Sequence, residues 1–181
     1  MKGLVIIADG FEDTEAIATI DVLKRSKLEI TTASFDSLEV TSAFNLKVKA
    51  DKLMKDVREE EYDFLVIPGG RAVFNVLDKK KEVSDLIVKF AESGRLVAAI
   101  CAAPMLIGKL GLLKERKYTC FPTCEEGIEG ILQQKKGVVR DGNIITAKAM
   151  AYSLDFALEI VEYLQGDKQR EAVNKNIRGE K

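Results

Sequence analysis

The sequence predicts an α/β fold in which a mostly parallel sheet is covered on both faces by helices. Short apolar runs alternate along the chain with amphipathic segments of helical spacing. The run Leu96–Ile100 carries no charge, which is typical of a strand buried on both faces. The 181 residues suffice for a complete hydrophobic core, and no linker or repeat interrupts them, so we expect one domain over residues 1–181.

Apolar or alternating runs bounded by turn residues predict the strands. The expected strands are Leu4–Ala8, Leu28–Ser34, Asp63–Ile67, Leu96–Ile100 and the short Lys117–Cys120. Two hairpins are expected, one from Leu38–Thr41 and Leu46–Lys49, the other from Val138–Val139 and Ile144–Thr146. The second hairpin turns at Asp141-Gly142, and Asp-Gly between apolar segments is a strong hairpin signal.

Apolar residues spaced three and four apart predict the helices. They are Glu12–Arg25 with Asp13 as N-cap, Val83–Ala91, a helix beginning near Pro104, Glu125–Gln133, and Leu154–Leu164. Gly94 and Gly166 are expected to end two of them. The polar segment Asp167–Lys181 predicts either a short helix or a frayed terminus.

The composition excludes several classes of function. With 28 basic and 29 acidic residues the net charge is −1, so nothing attracts the chain to nucleic acid or to an anionic membrane. The apolar runs are too short to span a bilayer, and the chain enters a strand without a visible signal peptide. Three cysteines, an odd and small number, favour a reducing compartment, and we expect a cytoplasmic protein.

Metal and cofactor sites are not expected. The chain has no histidine, and Cys101, Cys120 and Cys124 lack the spacing of metal ligands. We expect Cys120 and Cys124 to be ordinary small buried residues. Pro68-Gly69-Gly70 lacks the further glycines of a dinucleotide loop and the Gly-Lys-Ser/Thr of a P-loop, and the loop after the first strand is acidic and would repel phosphate.

Cys101 is the candidate nucleophile. It follows Leu96–Ile100 directly, and Pro104, which suits the first turn of a helix, comes three residues later. Cys101 is therefore predicted at a sharp strand-to-helix turn on the carboxyl edge of the sheet, where α/β proteins place their sites. The positive end of the helix favours thiolate, so we expect a sulfur of lowered pKa. Without histidine, any chemistry there proceeds without an imidazole.

Two further strand-end loops should converge on Cys101, because consecutive parallel strands end on the same edge. A glycine N–H from Pro68-Gly69-Gly70, together with the N–H of Ala102, is placed to hold an oxyanion. Glu12, Asp13 and Glu15 open a helix, and the helix dipole accounts for two of these acids. A third, directed inward, would be desolvated, stay protonated and donate a hydrogen bond to thiolate.

The chain resembles the ThiJ/PfpI superfamily, in the branch of the Parkinsonism-associated deglycase and the bacterial ThiJ-like stress proteins. The resemblance runs from about residue 2 to 166. It rests on Phe-Glu-Asp-Thr-Glu-Ala at 11–16, Tyr-Asp-Phe-Leu-Val-Ile-Pro-Gly-Gly at 62–70, Val-Ala-Ala-Ile-Cys-Ala-Ala-Pro at 97–104, Phe-Pro-Thr at 121–123 and Asp-Phe-Ala-Leu-Glu-Ile-Val-Glu at 155–162.

This resemblance implies a flavodoxin-like three-layer sandwich and a homodimer. It implies that Cys101 is an oxidisable nucleophile and that Glu15 is the buried carboxyl that hydrogen-bonds it. Gly70 and Ala102 match the backbone amides beside the sulfur. Gly69, Phe121, Pro122, Lys148 and Met150 are implied as pocket residues.

The chain departs from the family pattern at two places. Phe121 stands where some relatives have histidine, which weakens any Cys–His dyad and thus a peptidase or glutaminase assignment. Lys148-Ala149-Met150-Ala151 replaces Arg or Gln followed by Gly-Pro-Gly, in a segment that lines the pocket in relatives. Lys148 is either a contact for a carboxylate-bearing ligand or an exposed lysine at a strand end.

Three functions are consistent with these residues. The first is a cofactor-independent enzyme acting on methylglyoxal-type α-oxoaldehydes, or on their protein adducts, with a small reactive carbonyl or a glycated protein as its partner. The second is an oxidative-stress sensor or redox chaperone that works through oxidation of Cys101. The third, a cysteine hydrolase or amidotransferase, needs a base near the thiol that only a perturbed carboxylate or lysine can supply.

Overall fold

A computed structural model describes residues 1–180. Its main sheet has seven strands: β1 (Lys2–Ile6), β2 (Glu29–Ser34), β5 (Lys52–Leu53), β6 (Phe64–Ile67), β7 (Leu96–Ile100), β10 (Val138–Asp141) and β11 (Ile144–Ala147). Their order in the sheet is β10-β11-β7-β6-β1-β2-β5. Only the edge pair β10–β11 is antiparallel, and every other neighbouring pair is parallel.

Six α-helices lie in the described residues and flank this sheet. They are α1 (Asp13–Arg25), α2 (Ala72–Asn75), α3 (Lys81–Glu92), α4 (Pro104–Lys109), α5 (Ser153–Gln165) and α6 (Asp167–Arg178). Helices α1, α5 and α6 pack against one another in one layer, and α3 packs with α4 and against β6 and β7 in the other. The predicted three-layer α/β sandwich with a mostly parallel sheet is confirmed.

Two small strand pairs lie outside the main sheet. The hairpin of β3 (Glu39–Thr41) and β4 (Lys47–Lys49) is antiparallel, as the sequence predicts. Strands β8 (Lys117–Tyr118) and β9 (Ile131–Leu132) pair in parallel. The predicted strand Lys117–Cys120 therefore ends two residues early and does not join the main sheet.

The apolar runs that predict the central strands are fully buried. Every residue of β6 and β7 is buried, because helices cover both faces of the sheet at its centre. On neighbouring β1, a Cβ added to Gly3 would collide with the ring of Phe64, so this ring packs over β1 only because the position has no side chain. The rigid centre of the sheet places the ends of β1, β6 and β7 side by side.

The structure corrects two local expectations. Residues 125–133 do not form the predicted helix: they form turns that lead into β9. Gly127 has φ +77°, outside the helical region, and a Cβ at Gly130 would collide with the Leu113 carbonyl and the Tyr118 ring, so these glycines serve a turn. Helix α1 is capped by Glu12 rather than by Asp13, since the Glu12 carboxylate accepts the N–H of Glu15 at 2.7 Å.

The C-terminal segment is ordered by packing. Asp167–Arg178 forms a helix, of the two alternatives left open by the sequence, and Val173 is buried where α6 packs on α5. None of the helices in residues 1–180 is both long enough and apolar enough to cross a membrane.

Candidate active site

Cys101 lies at the predicted turn between β7 and α4. Its backbone is left-handed, with φ +65°, a conformation that costs energy for a residue with a side chain. Two hydrogen bonds hold it: the Cys101 N–H donates to the Ala147 carbonyl at 2.9 Å, and the Cys101 carbonyl accepts the Phe121 N–H at 2.8 Å. Pro104 begins α4, as expected. The thiol is partly exposed, whereas Cys120 and Cys124 are buried.

Glu15 is the carboxyl that faces this thiol. It lies in the first turn of α1 and is 1% exposed. Its Oε2 accepts the Gly69 N–H at 2.9 Å, and the carboxyl lies close enough to the Cys101 thiol for each group to shift the pKa of the other. Oε1 is buried and has no further partner among residues 1–180. The acid directed inward is thus Glu15, while Glu12 caps the helix.

Gly69 and Gly70 allow the loop after β6 to pass between these groups. A Cβ on Gly69 would lie 2.6 Å from both the Cys101 Cβ and the Glu15 Oε2, so only glycine fits. Gly70 has φ +91° and forms a bridge with Phe11. The N–H groups of Gly70 and Ala102 both interact with the Cys101 sulfur. The loops after β1, β6 and β7 therefore meet at one point.

The Glu15 carboxyl titrates close to neutral pH. Desolvation by burial raises its pKa from 4.5 to about 7, and the neighbouring charge of Glu12 adds to that increase. The hydrogen bonds from Cys101 and Gly69 act in the opposite direction and lower it. The group is therefore divided between acid and carboxylate at physiological pH, as a proton carrier requires.

The pKa of the Cys101 thiol moves opposite to the sequence expectation. Burial raises it most, and the charge and hydrogen bond of ionised Glu15 raise it further, while the N–H groups of Gly70 and Ala102 lower it. Helix α4 has only six residues, so its terminus contributes little against burial. The thiol therefore stays protonated while Glu15 is ionised, and because each charge disfavours the other, the two groups titrate as a coupled pair.

The other implied pocket residues lie around this centre at different distances. Phe121 donates its backbone N–H to the Cys101 carbonyl, and Phe121 is 45% exposed. Pro122 and Lys148 line a cavity whose walls include neither Cys101 nor Glu15. Met150 is exposed, in a 3₁₀ turn before α5. Gly69 alone among the five lies between the two candidate reacting groups.

Two residues that position the site were not predicted from the sequence. Ala147, at the end of β11, accepts the Cys101 N–H; predicting this bond requires knowing that β11 lies next to β7 in the sheet. Asp13, expected as a cap, instead binds the β3–β4 hairpin, since its carboxylate accepts the Ser42 hydroxyl at 2.6 Å. No cluster of three or more His, Cys, Asp or Glu suited to a metal ion occurs in the described part of the chain.

The sequence matches the DJ-1/PfpI family over residues 1–163. The chain belongs to the DJ-1/PfpI family. A protein of Pyrococcus horikoshii described as a deglycase is 35% identical over 167 residues, which cover 91% of this chain and 100% of that protein. Protein DJ-1 homolog B of Arabidopsis thaliana is 39% identical over 165 residues, 90% of this chain but only 38% of that longer protein.

Solved structures of DJ-1/PfpI proteins superimpose on this chain over almost its whole length. The crystal structure of Drosophila melanogaster DJ-1beta matches with a TM-score of 0.91 and 31% identity, covering 97% of this chain and 96% of that one. A DJ-1 superfamily protein from Salmonella typhimurium, solved as a Cys-to-Ala mutant, gives a TM-score of 0.90 at 30% identity, over 99% and 98% of the two chains. The membership rests on sequence and on fold alike.

Proposed function

We propose that this protein is a cofactor-independent enzyme that acts on methylglyoxal-type α-oxoaldehydes or on their adducts with proteins. The observation that carries the proposal is the pairing of a partly exposed thiol, Cys101, with a buried carboxyl, Glu15, whose pKa of about 7 lets it both give and take a proton. Relatives described as deglycases, from Pyrococcus and Thermococcus species, support the same chemistry.

The first step is addition of the sulfur to the aldehyde. In the reactive form Cys101 is thiolate and Glu15 is protonated. The sulfur lone pair forms a bond to the aldehyde carbon, the C=O π pair moves to oxygen, and the Glu15 proton neutralises that oxygen. The N–H groups of Gly70 and Ala102 lie beside the sulfur, where they can stabilise the developing oxyanion. The product is a hemithioacetal and Glu15 is left as carboxylate.

The second step is a proton shift between neighbouring carbons. The Glu15 carboxylate takes the proton from the carbon bonded to sulfur, and the electron pair of that C–H bond forms the C=C bond of an enediol as the ketone oxygen gains a proton. Glu15 then returns its proton to the adjacent carbon, while the hydroxyl oxygen on the sulfur-bearing carbon gives up its proton and becomes the C=O of a 2-hydroxy thioester. Water then cleaves the thioester, regenerates the thiol and releases a 2-hydroxy acid. The overall change is hydration of the oxoaldehyde, without any external oxidant or reductant.

The arrangement of Glu15 supports this role. Its Oε2 is fixed by the Gly69 N–H, while its Oε1 is buried and unpartnered in the described residues. A buried polar atom without a partner is costly, and such atoms in native proteins are often functional. Oε1 is the carboxyl oxygen available for a proton in transit.

The experiment is turnover of methylglyoxal by the purified protein, with detection of lactate. We expect Cys101→Ser to reduce turnover to the uncatalysed rate, and the matched control Cys124→Ala, which changes a buried cysteine, to retain it. Equal rates for the wild type and Cys101→Ser would refute the proposal. Preincubation of methylglyoxal with N-acetylcysteine converts part of it into the thiol adduct and so identifies the form of the substrate. If the rate of lactate formation depends only on the concentration of free methylglyoxal, the enzyme does not act on the adduct.

A second candidate function, sensing of oxidants, is favoured by the difference in exposure among the cysteines. Cys101 is partly exposed, while Cys120 and Cys124 are 3% and 6% exposed. Peroxide would oxidise Cys101 to sulfenic and then sulfinic acid, to which a protonated Glu15 can donate a hydrogen bond. Mass spectrometry after mild peroxide should find two added oxygens on Cys101 first. Equal oxidation of all three cysteines would contradict this function.

A further inference from the structure

The second cysteine-containing region of the molecule is a cavity lined in part by Cys120. It has a volume of about 360 Å³, far more than the roughly 10–15 Å³ needed to hold one water. Eight residues line it: Thr119, Cys120, Pro122, Glu125, Leu132, Gln134, Lys135 and Lys148. It lies between the segment that carries β8 and β9 and the end of β11, and neither Cys101 nor Glu15 contributes to its wall.

Two lysines give this cavity an excess of positive charge. Lys148 donates a hydrogen bond to the Gln134 carbonyl at 2.8 Å, which engages one of its three N–H donors. Within residues 1–180 neither Lys148 nor Lys135 forms an ion pair with a carboxylate. Against these two cations the wall carries one acid, Glu125, so a single negative charge would balance it.

The remaining wall is neutral and partly apolar. Burial and the charge of Glu125 raise the pKa of the Cys120 thiol to about 12, so this sulfur stays protonated and does not repel an anion. The thiol lies 4.0 Å from the Glu125 Oε2. Leu132 and Pro122 add apolar surface to the wall. Glu125 disfavours a dianion such as phosphate, because a second negative charge would face the carboxylate.

We propose that this cavity is a binding site for a small organic monoanion, a short-chain carboxylate whose charge pairs with Lys148 and Lys135 and whose alkyl body packs on Leu132 and Pro122. The site is separate from Cys101. It therefore does not depend on the proposed enzymatic reaction and exists equally in the Cys101→Ser protein.

Butyrate and its neutral isostere butyramide are the probes that test the site. Isothermal titration calorimetry of the full chain should show butyrate binding at one site and no measurable heat of binding with butyramide. In ¹⁵N–¹H spectra, butyrate should shift the amide signals of Thr119, Leu132 and Lys148. Saturating butyrate should leave alkylation of Cys101 by iodoacetamide unchanged.

Substitutions locate the charge. Lys148→Gln should weaken butyrate binding at least tenfold and Lys135→Gln at least threefold, while Lys55→Gln, which removes an exposed lysine without an ion-pair partner in the described residues, should leave it unchanged. Lys135→Gln keeps the hydrogen bond between Lys148 and Gln134, so it remains informative if Lys148→Gln does not fold. The proposal is overturned if butyrate fails to bind, if both substitutions leave its affinity unchanged, or if butyrate protects Cys101 from alkylation.

Discussion

The N–H of Gly69 donates a 2.9 Å hydrogen bond to the Glu15 carboxylate, and this bond joins the loop after β6 to the first turn of α1. It fixes one carboxyl oxygen and leaves the other free of fixed partners in the described residues, beside the thiol. In a protein that has no histidine, this fixed carboxyl is the group that the proposed reaction uses as acid and base beside Cys101.

Glu15→Gln should abolish most of the activity, because the amide neither donates its proton to an alkoxide nor removes one from carbon. General acid–base groups typically contribute about 10²- to 10⁴-fold, so we expect kcat/KM for methylglyoxal to fall at least about 100-fold. Steady-state kinetics is the measurement, and Glu126→Gln, at an exposed site, is the matched control. A fall of less than about threefold in Glu15→Gln would show that the carboxyl is not used.

Burial of Glu15 should make the protein less stable as pH rises. The folded pKa of about 7 lies above the ordinary 4.5, so between these values the folded state binds more protons than the unfolded state, and unfolding becomes easier with increasing pH. The contribution of this group is about 3 kcal/mol. It is fully lost above about pH 7.

Urea denaturation at several pH values measures this effect. The free energy of unfolding of Glu15→Gln, minus that of the wild type, should rise by about 3 kcal/mol between pH 4.5 and 7.5. The subtraction removes the contributions of the other titrating groups. A difference that stays constant over this range would mean that Glu15 titrates normally in the folded protein.

Gly69→Ala should disrupt the site more than it disrupts the fold. The added Cβ would lie 2.6 Å from both Cys101 and Glu15, and relief of such crowding typically costs about 1–3 kcal/mol. We expect activity to fall to near background while thermal unfolding remains cooperative. Gly94→Ala is the control: it strains a residue of φ +77° but meets no atom within 4 Å. Full activity in Gly69→Ala would contradict the geometry described for the loop.

Homodimerisation, which the family resemblance implies, is expected to use the apolar side chains of α1 and the β3–β4 hairpin. Ile17, Phe44 and Leu46 are 42%, 77% and 44% exposed, and the bond between Asp13 and Ser42 holds the helix and hairpin together. Phe44→Asp should shift the protein toward the monomer in sedimentation velocity. Phe74→Asp, at another exposed phenylalanine, should not. A wild-type monomer at micromolar concentration would exclude the dimer.

Strong local patterns made most of the fold predictable. The uncharged run Leu96–Ile100 and the glycines after Ile67 placed the central strands within one or two residues, and Pro104 marked the start of α4. The three loops that meet at Cys101 followed from the rule that parallel strands end on a common edge. Glu15 was identified by its match to a family motif, because three acids share one helical turn and spacing alone does not say which faces inward.

The failures have a common physical origin in tertiary contacts. Residues 125–133 have helical apolar spacing, yet Gly127 and Gly130 form turns and Ile131 pairs with β8. The helix after Cys101 was expected to lower the pKa of the thiol, but burial and the neighbouring Glu15 carboxylate raise this pKa by more than the six-residue helix α4 lowers it. Lys148 and Pro122 were expected to line the same pocket as Cys101, but in the structure they line a cavity to which Cys101 does not contribute. Each depends on distances that a single sequence does not encode.

The pH dependence of Cys101 alkylation by iodoacetamide tests most directly whether the thiol and the Glu15 carboxyl share a proton. In the wild type the rate should rise with pH up to about 7 and then level off, because the charge of ionised Glu15 raises the pKa of the thiol. In Glu15→Gln the rate should lack this inflection, continue to rise above pH 7 and be higher than that of the wild type at pH 7.5. A single inflection near the ordinary cysteine pKa of about 8.5, identical in the wild type and Glu15→Gln, would contradict this account.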